Sequence, residues 1–231
     1  MKVMTFNTRH CQNILTGEID YPLMAQTVLA CGADIVGLNE MRGRGVRRGY
    51  ADQTKILSEL TALPYRYFAD ALGRAGAPYG NALLSRYPIL YAKAVPIPLP
   101  HPRIGDRRYE PRCILHAEIW GGYTVLVTHF GLNRDEQENA VRAVTDLLAG
   151  EKCILMGDFN VLPDDPVLLP IRERMRDAAD AFSQPLYSWP SEHPTKKIDY
   201  LFVSPDLKTV SADIPAIIAS DHRPHTAVLA E

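Results

Sequence analysis

What the chain is short of narrows its possibilities first. Its 231 residues hold four cysteines, Cys11, Cys31, Cys113 and Cys153, and no two of them form a C-x-x-C pair. Thiols so widely spaced do not make a structural zinc site. Cys113 and Cys153 fall inside apolar, strand-like runs (RCILHAEI and KCILMGD), where a small buried thiol is the ordinary reading. No stretch of about 18 apolar residues occurs, which excludes a membrane-spanning helix. The opening MKVMTFN lacks the run of about 7 to 15 apolar residues that marks a signal peptide, so a reduced, cytoplasmic protein is expected. Net charge is also scarce: 25 Lys and Arg against 27 Asp and Glu leave −2. That balance argues against coating nucleic acid by bulk charge. Lysine is rare beside arginine, 7 to 18. Arginine is the better bidentate grip on phosphate or carboxylate, although a GC-rich genome produces the same bias.

What is present describes a globular enzyme-sized chain. At 46% apolar and 23% charged residues, disordered, collagen-like and coiled-coil chains are excluded. A domain of this length buries about 70–75% of its unfolded surface and needs no disulfide staple. Apolar runs of strand length alternate with segments of helical period. Strands are predicted at Lys2–Asn7, Asp34–Asn39, Arg66–Ala69, Gly80–Ser85, Ile89–Pro96, Arg112–Trp120, Tyr123–Phe130, Cys153–Met156, Ile198–Val203, Leu207–Ala212 and Thr226–Leu229. Gly121-Gly122 reads as a hairpin turn. Helices are predicted at Tyr21–Cys31, at Asp52–Leu63 with Ile56, Leu57 and Leu60 inward, and at Arg134–Leu148. No linker or repeat interrupts the series, so one α+β layered domain over residues 1–231 is expected.

The informative feature is what stands at the ends of the apolar strands. VMTF runs into Asn7, DIVGLN into Glu40, TVLVT into His129, and CILMG into Asp158-Phe-Asn160. The strand Ile198–Val203 carries Asp199 at its start, and Ser220-Asp221-His222 precedes the last strand. Neighbouring strand ends lie about 5 Å apart, so such residues can converge on one site. Four carboxylates brought together raise one another's pKa unless a cation sits among them, and hard oxygen ligands without thiolates suit Mg²⁺ or Mn²⁺. With two histidines and two asparagines added, the set has what phosphoryl transfer needs. Each motif alone has a plainer explanation: a turn for GDFN, a cap or loop for SDHRP. It is their joint occurrence at the strand ends that points to a site.

In this order the motifs resemble the endonuclease/exonuclease/phosphatase superfamily, the deoxyribonuclease I-like hydrolases. They are TFNTRH (5–10), DIVGLNE (34–40), GNALLSR (80–86), THFG (128–131), GDFN (157–160), KIDYLFVS (197–204) and SDHRP (220–224), and they span the chain. The resemblance implies a four-layer αββα sandwich with a metal-dependent phosphoesterase site at one edge of its two sheets. It implies Glu40 as principal Mg²⁺ ligand, with Asn7 and Asp221 completing the metal region. His222 resembles the base or phosphate-contacting histidine, and Asp199 the acid that orients it. His129 resembles a second histidine that contacts phosphate or protonates the leaving group. Asp158 resembles the carboxylate that positions water, and Asn160 the donor to the transition-state oxygen. Arg112 resembles a phosphate ligand. The family often has Gln before the metal-binding Glu, where this chain has Asn39.

Other residues remain open at this stage. Asn81 is either a second phosphate donor or a strand-end cap. The clusters Arg42, Arg44, Arg47, Arg48 and Arg103, Arg107, Arg108, Arg112 either rim the cleft or are solvated loop charges. His10 either lines the site or lies on the surface. Trp189, Lys196 and Lys197 either shape the substrate pocket or, with the neighbouring prolines, stiffen a loop. The expected activity is Mg²⁺-dependent (or Mn²⁺-dependent) hydrolysis of a phosphodiester by in-line attack of water. The partner is a phosphoester such as a short nucleic acid, a nucleotide or a lipid head group, handled by a monomer with no membrane span. A phosphomonoesterase and a non-catalytic phosphate-binding module are the competing readings. A thiol hydrolase through Cys11 and His10 lacks an orienting acid.

Overall fold

Alternation along the strands decides the architecture. The computed structural model describes residues 1–73, 76–181 and 186–230. Its strands are β1 (Lys2–Asn7), β2 (Ile35–Arg42), β3 (Tyr65–Asp70), β4 (Tyr79–Ser85), β5 (Ile89–Ile97), β6 (Arg112–Ile119), β7 (Tyr123–His129), β8 (Cys153–Asp158), β9 (Arg176–Asp177), β10 (Asp199–Val203), β11 (Lys208–Asp213) and β12 (His225–Ala230). Its helices are α1 (Tyr21–Cys31), α2 (Gln53–Thr61), α3 (Arg134–Thr145) and the single turn α4 (Leu169–Arg172). Two six-stranded mixed sheets form, in the orders β11-β12-β1-β2-β4-β3 and β5-β6-β7-β8-β10-β9.

Successive side chains of a strand point to opposite faces, so each strand feeds two cores. Val3, Ile35, Leu83, Val127, Met156 and Leu201 belong to the core between the sheets. Met4, Val36, Leu38 and Leu84, of opposite parity, pack with Met24, Val28 and Leu57 of α1 and α2. On the far side Leu126, Leu155, Tyr200 and Phe202 pack with Val141 and Val144 of α3 and with Ile171 of α4. The result is the expected four-layer αββα sandwich of α+β class. Full burial of each large apolar side chain contributes about 1.5–3 kcal/mol, which makes these three layers the main source of stability. Close approach fixes some residues. An added Cβ at Gly157 would stand 1.8 Å from the Thr128 carbonyl oxygen, and one at Gly37 would stand 2.5 Å from Met156 Sδ.

The helix ends follow their capping residues. Asp20 accepts the Leu23 N–H, Pro22 sits in the first turn, and Gly32 (φ +60°) closes α1. Asn133 and Glu136 form a capping box at the start of α3, worth about 0.5–2 kcal/mol. Three expectations need correction. Leu60 is exposed, because Leu57, Ser58 and Thr61 form the inner face of α2. Helix α3 stops at Thr145 rather than Leu148. Strand β2 continues past Asn39 to Arg42 through a bulge.

Candidate active site

One edge of the sandwich gathers the polar strand ends from both sheets. Asn7 closes β1 beside Asn39 of β2. His129 closes β7 opposite Asp158, which ends β8, and Asp158 pairs in turn with Asp199, the first residue of β10. Asn7, His129, Asp158 and Asp199 share the parity of Val3, Val127, Met156 and Leu201, so their side chains continue the inter-sheet core where apolar residues give way to polar ones. Glu40 reaches the same place by a different device. The register of β2 against β4 shifts between Leu38 and Met41, and Glu40 sits at φ +60°. Such a bulge re-aims a side chain, here bringing Glu40 Oε1 to 3.2 Å from Asn7 Nδ2.

A buried series of titratable groups runs from β10 to β8. Asp199 Oδ2 accepts from His222 Nδ1 at 2.8 Å and from Ser188 Oγ at 2.5 Å. His222 Nε2 faces Asp158 Oδ2 at 3.6 Å, and Asn7 Nδ2 donates to that same oxygen at 3.0 Å. Burial opposes the charge on His222, but Asp199 and Asp158 outweigh it and carry the imidazole up to about 10. Burial, with Asp199 close by, raises Asp158 to about 7 against the opposing pull of His222. At neutral pH this edge therefore holds an imidazolium beside a carboxyl poised to exchange a proton. Ligand-type atoms of Asp158, Asp199 and His222 lie within 4.8 Å of one another. Within that trio His222 Nδ1 is already committed to Asp199.

His129 behaves differently. Its Nδ1 lies 3.2 Å from Arg112 Nη1, and its Nε2 lies 3.5 Å from Asp158 Oδ2 and 3.2 Å from the Asn160 side-chain nitrogen. A guanidinium only donates, so Nδ1 accepts and Nε2 carries the proton towards Asp158. That leaves the Asn160 nitrogen, itself a donor to the Phe130 carbonyl, as a neighbour of Nε2 rather than its hydrogen-bond partner. Burial, then Arg112 and His222, hold this histidine well below its ordinary value, so it is neutral. Arg112 also pairs with Glu110 at 3.3 Å. Asn160 follows β8 at φ +51°, donates its N–H to Asp158 Oδ1 at 2.9 Å and its amide to the Phe130 carbonyl at 3.2 Å.

These groups line a cleft of about 620 Å³, walled by Glu40, Arg112, His129, Asp158, Asn160, Asp221 and His222 and also by Arg107, Glu110, Leu132, Leu162, Trp189, Lys196 and Ile198. Four carboxylates line it with Arg107, Arg112, Lys196 and the His222 imidazolium, so the cleft as a whole is close to charge-balanced, and among the described residues the carboxylate without a cationic partner is Glu40. Around Glu40 the partners are neutral. Asn7 donates to it, and the Tyr79 phenol, pushed up by burial and then by Glu40, stays protonated beside it. His10 Nδ1 is 3.9 Å from Oε2, and burial and Arg42 lower that histidine towards its neutral form. Asp221, half-buried, accepts from the Ser220 hydroxyl at 3.1 Å. A hard carboxylate with no fixed cation among the described residues, in a pocket free of thiolates, fits a divalent cation held by oxygen.

Asn81 stands apart from the other candidates. Its amide donates to the Cys113 carbonyl at 2.9 Å and accepts from Asn39 at 2.8 Å. It is 2% exposed between the sheets and does not line the cleft, which corrects its expected contact with substrate. The arginines divide as well. Arg107 and Arg112 enter the cleft wall, whereas Arg42 stacks on Tyr50 (5.1 Å to the ring centroid) and no arginine of 42–48 lines the cleft. Trp189 and Lys196 do, with Lys196 Nζ 5.1 Å over the indole, whereas Lys197 turns inward to Asp177 at 2.6 Å. Ser188, Tyr79 and Glu110 carry no signal of their own in the sequence, and Asn39 stands out there only as the residue before Glu40 where the family often has Gln. The nearest signals for the first three are their positions close to Trp189, Gly80 and Arg112.

The αββα sandwich and the acid- and histidine-rich edge define a hydrolase of the deoxyribonuclease I-like class. The family model described as "Endonuclease/Exonuclease/phosphatase family" matches residues 4–222, and the chain belongs to that family. No curated protein sequence matches it. Among solved structures it is similar to an endonuclease/exonuclease/phosphatase of Beutenbergia cavernae (23% identity, 99% of this chain and 71% of that one, TM-score 0.79). It is similar also to a mannosyl-6-phosphatase of Bacteroides thetaiotaomicron (18%, 100% of both chains, TM-score 0.77). A third likeness is to D. rerio TDP2 complexed with single strand DNA product (13%, 100% and 99%, TM-score 0.72).

Proposed function

We propose that this protein hydrolyses a phosphodiester by in-line attack of water, with Mg²⁺ as its natural cation and Mn²⁺ as a substitute. The observation that carries the reading is the buried Asp199–His222–Asp158 series facing Glu40 and Asn7 across one cleft. Glu40, Asn7 and Asp221 would hold the cation, which supplies charge to the phosphoryl oxygens. Asp158, raised to about 7, takes the proton of the attacking water as the P–O bond on the far side of the phosphorus breaks, and the departing oxygen takes a proton from solvent. His222, kept charged by Asp199, stabilises the phosphoryl oxygens as charge builds on them. His129 Nε2–H, the Asn160 amide and Arg112 donate to the same group from beside Asp158, and Arg112 on Nδ1 holds His129 in that donating tautomer. Leu132, Leu162 and Trp189 give the cleft apolar margins that suit substituents on a diester. The solved mannosyl-6-phosphatase, similar over its whole length, supports phosphomonoester hydrolysis as the second reading.

The test is hydrolysis of bis-p-nitrophenyl phosphate beside p-nitrophenyl phosphate, with Mg²⁺, with Mn²⁺ and with EDTA. The diester should turn over with metal and stop with EDTA. No turnover of either ester with either metal contradicts the enzymatic reading. Turnover of the monoester alone selects the second reading.

A further inference from the structure

We propose that Asn39 is a positioning residue that holds the two halves of this site in register across the seam between the sheets. Its side chain is wholly buried and every polar group on it is used. The amide nitrogen donates to the Thr128 carbonyl and to Asn81 Oδ1, both at 2.8 Å, and the amide oxygen accepts the Asp158 N–H at 3.0 Å. Each contact falls on or beside a residue of the site. Thr128 precedes His129, Asp158 is itself a site acid, and Asn81 passes the link to the Cys113 carbonyl, next to Arg112. The Asn39 carbonyl accepts the Thr8 N–H and hydroxyl, both at 3.2 Å, next to Asn7. Glu40 follows covalently. One carboxamide thus ties the Glu40 and Asn7 side of the cleft to the strands carrying Arg112, His129 and Asp158.

The physical need is clear from the packing. Apolar contact between sheets is non-directional and sets their spacing better than their sliding. Hydrogen bonds with preferred distances and angles fix the relative position of two strands far more closely. Asn39 stands where the inter-sheet apolar core stops and the polar edge begins, where a slide of one sheet would separate Glu40 from Asp158. Misplacement by about 1 Å can cost about 100-fold in rate, so such a lock acts on turnover more than on binding. Asn81 is a brace in this arrangement: removing it leaves both direct bonds from Asn39 to the second sheet.

The inference rests on the phosphoesterase reading for its kinetic arm and carries a second arm that does not. Asn39→Ala, Asn39→Gln and Asn81→Ala are compared for melting temperature and for kcat and KM on bis-p-nitrophenyl phosphate per folded molecule. Asn39→Ala should lose about 100-fold in kcat with KM changed by less than about threefold. Asn39→Gln, which keeps the amide, should recover most of that loss. Asn81→Ala should lose comparable thermal stability yet keep kcat within about fivefold. Activity losses that follow the melting temperatures equally in the two alanine variants overturn the proposal, as does an unchanged kcat in Asn39→Ala. If Asn39→Ala does not fold, Asn39→Ser, which can reach only one of the partners, takes its place with the same expectations. If the wild-type chain hydrolyses no ester, the phosphoesterase reading fails and a crystal structure of the Asn39 variant decides alone. The Glu40 and Asp158 carboxylates should move apart by roughly the 1 Å that matters for alignment; unchanged spacing overturns the lock.

Discussion

The two sides of the cleft are built on opposite electrostatic plans. On one side Glu40 is surrounded by neutral partners, Asn7, Tyr79 and a His10 held towards its neutral form. On the other, Asp199, His222 and Asp158 form a buried series in which charge is matched within the protein. The first side leaves a charge for an added cation to answer. The second keeps its charge balance internal and places a proton where it can move. The same contrast recurs within one segment: His222, backed by Asp199, rises to about 10, whereas burial holds His225, three residues on, down to about 3. Both are buried histidines; the carboxylate on Nδ1 makes the difference.

The largest expected effect lies on the proton-handling side. His222→Asn keeps a hydrogen-bonding side chain but removes the imidazolium, and kcat should fall by about 10²–10⁴-fold. A loss below tenfold in steady-state kinetics removes His222 from the chemistry. Next comes Arg112→Ala, which strips a donor from the wall and the tautomer partner from His129. A drop of roughly 10²-fold in kcat/KM is expected, restored only in part by Arg112→Lys, because the fork geometry is lost.

Stability sharpens the contrast further. Ser188→Ala removes one donor from the buried Asp199 carboxylate and should cost about 1.5–3 kcal/mol in denaturant unfolding. An unchanged midpoint would mean that Asp199 is satisfied by His222 alone. His225 supplies a pH signature. Its folded pKa lies below the unfolded value near 6.5, so the unfolded chain binds the proton first. Its cost is absent above that value and grows as pH falls from about 6.5 towards 3, by up to about 1.4 kcal/mol per pH unit. His225→Gln should flatten that part of the stability profile, and an identical acid slope in the variant contradicts the assignment. The smallest effect belongs to the exposed loop: Arg44→Ala with Arg48→Ala should leave kcat/KM within about twofold, since surface changes of this kind stay near 0.5 kcal/mol.

The strand ends were legible in the sequence because a period of two makes both the apolar run and its polar last residue visible. Asn7, His129, Asp158 and Asp199 stand out by that pattern, and their roles come from the family resemblance of the motifs that hold them. Glu40 was found by its motif but placed at a strand end, whereas a bulge within β2 aims it. Bulges leave no periodic signal. Asn81 stays ambiguous in the sequence because a strand-end amide looks the same whether it faces a cleft or the opposite sheet; the approach of Cys113 and Asn39 is what distinguishes them. The neutral state of His129 and the hydroxyl of Ser188 on Asp199 likewise depend on long-range neighbours that no local pattern encodes.

The central claim is that the two sides divide the labour between holding a cation and moving a proton. Mn²⁺ titration of the wild type, Glu40→Gln and His222→Asn, read by paramagnetic resonance alongside kcat, tests it most directly. Glu40→Gln should weaken Mn²⁺ binding by about 10–100-fold or more. His222→Asn should bind Mn²⁺ within about threefold of the wild type while losing turnover. Equal Mn²⁺ affinity in the wild type and Glu40→Gln, or a loss shared equally by both variants, contradicts the account.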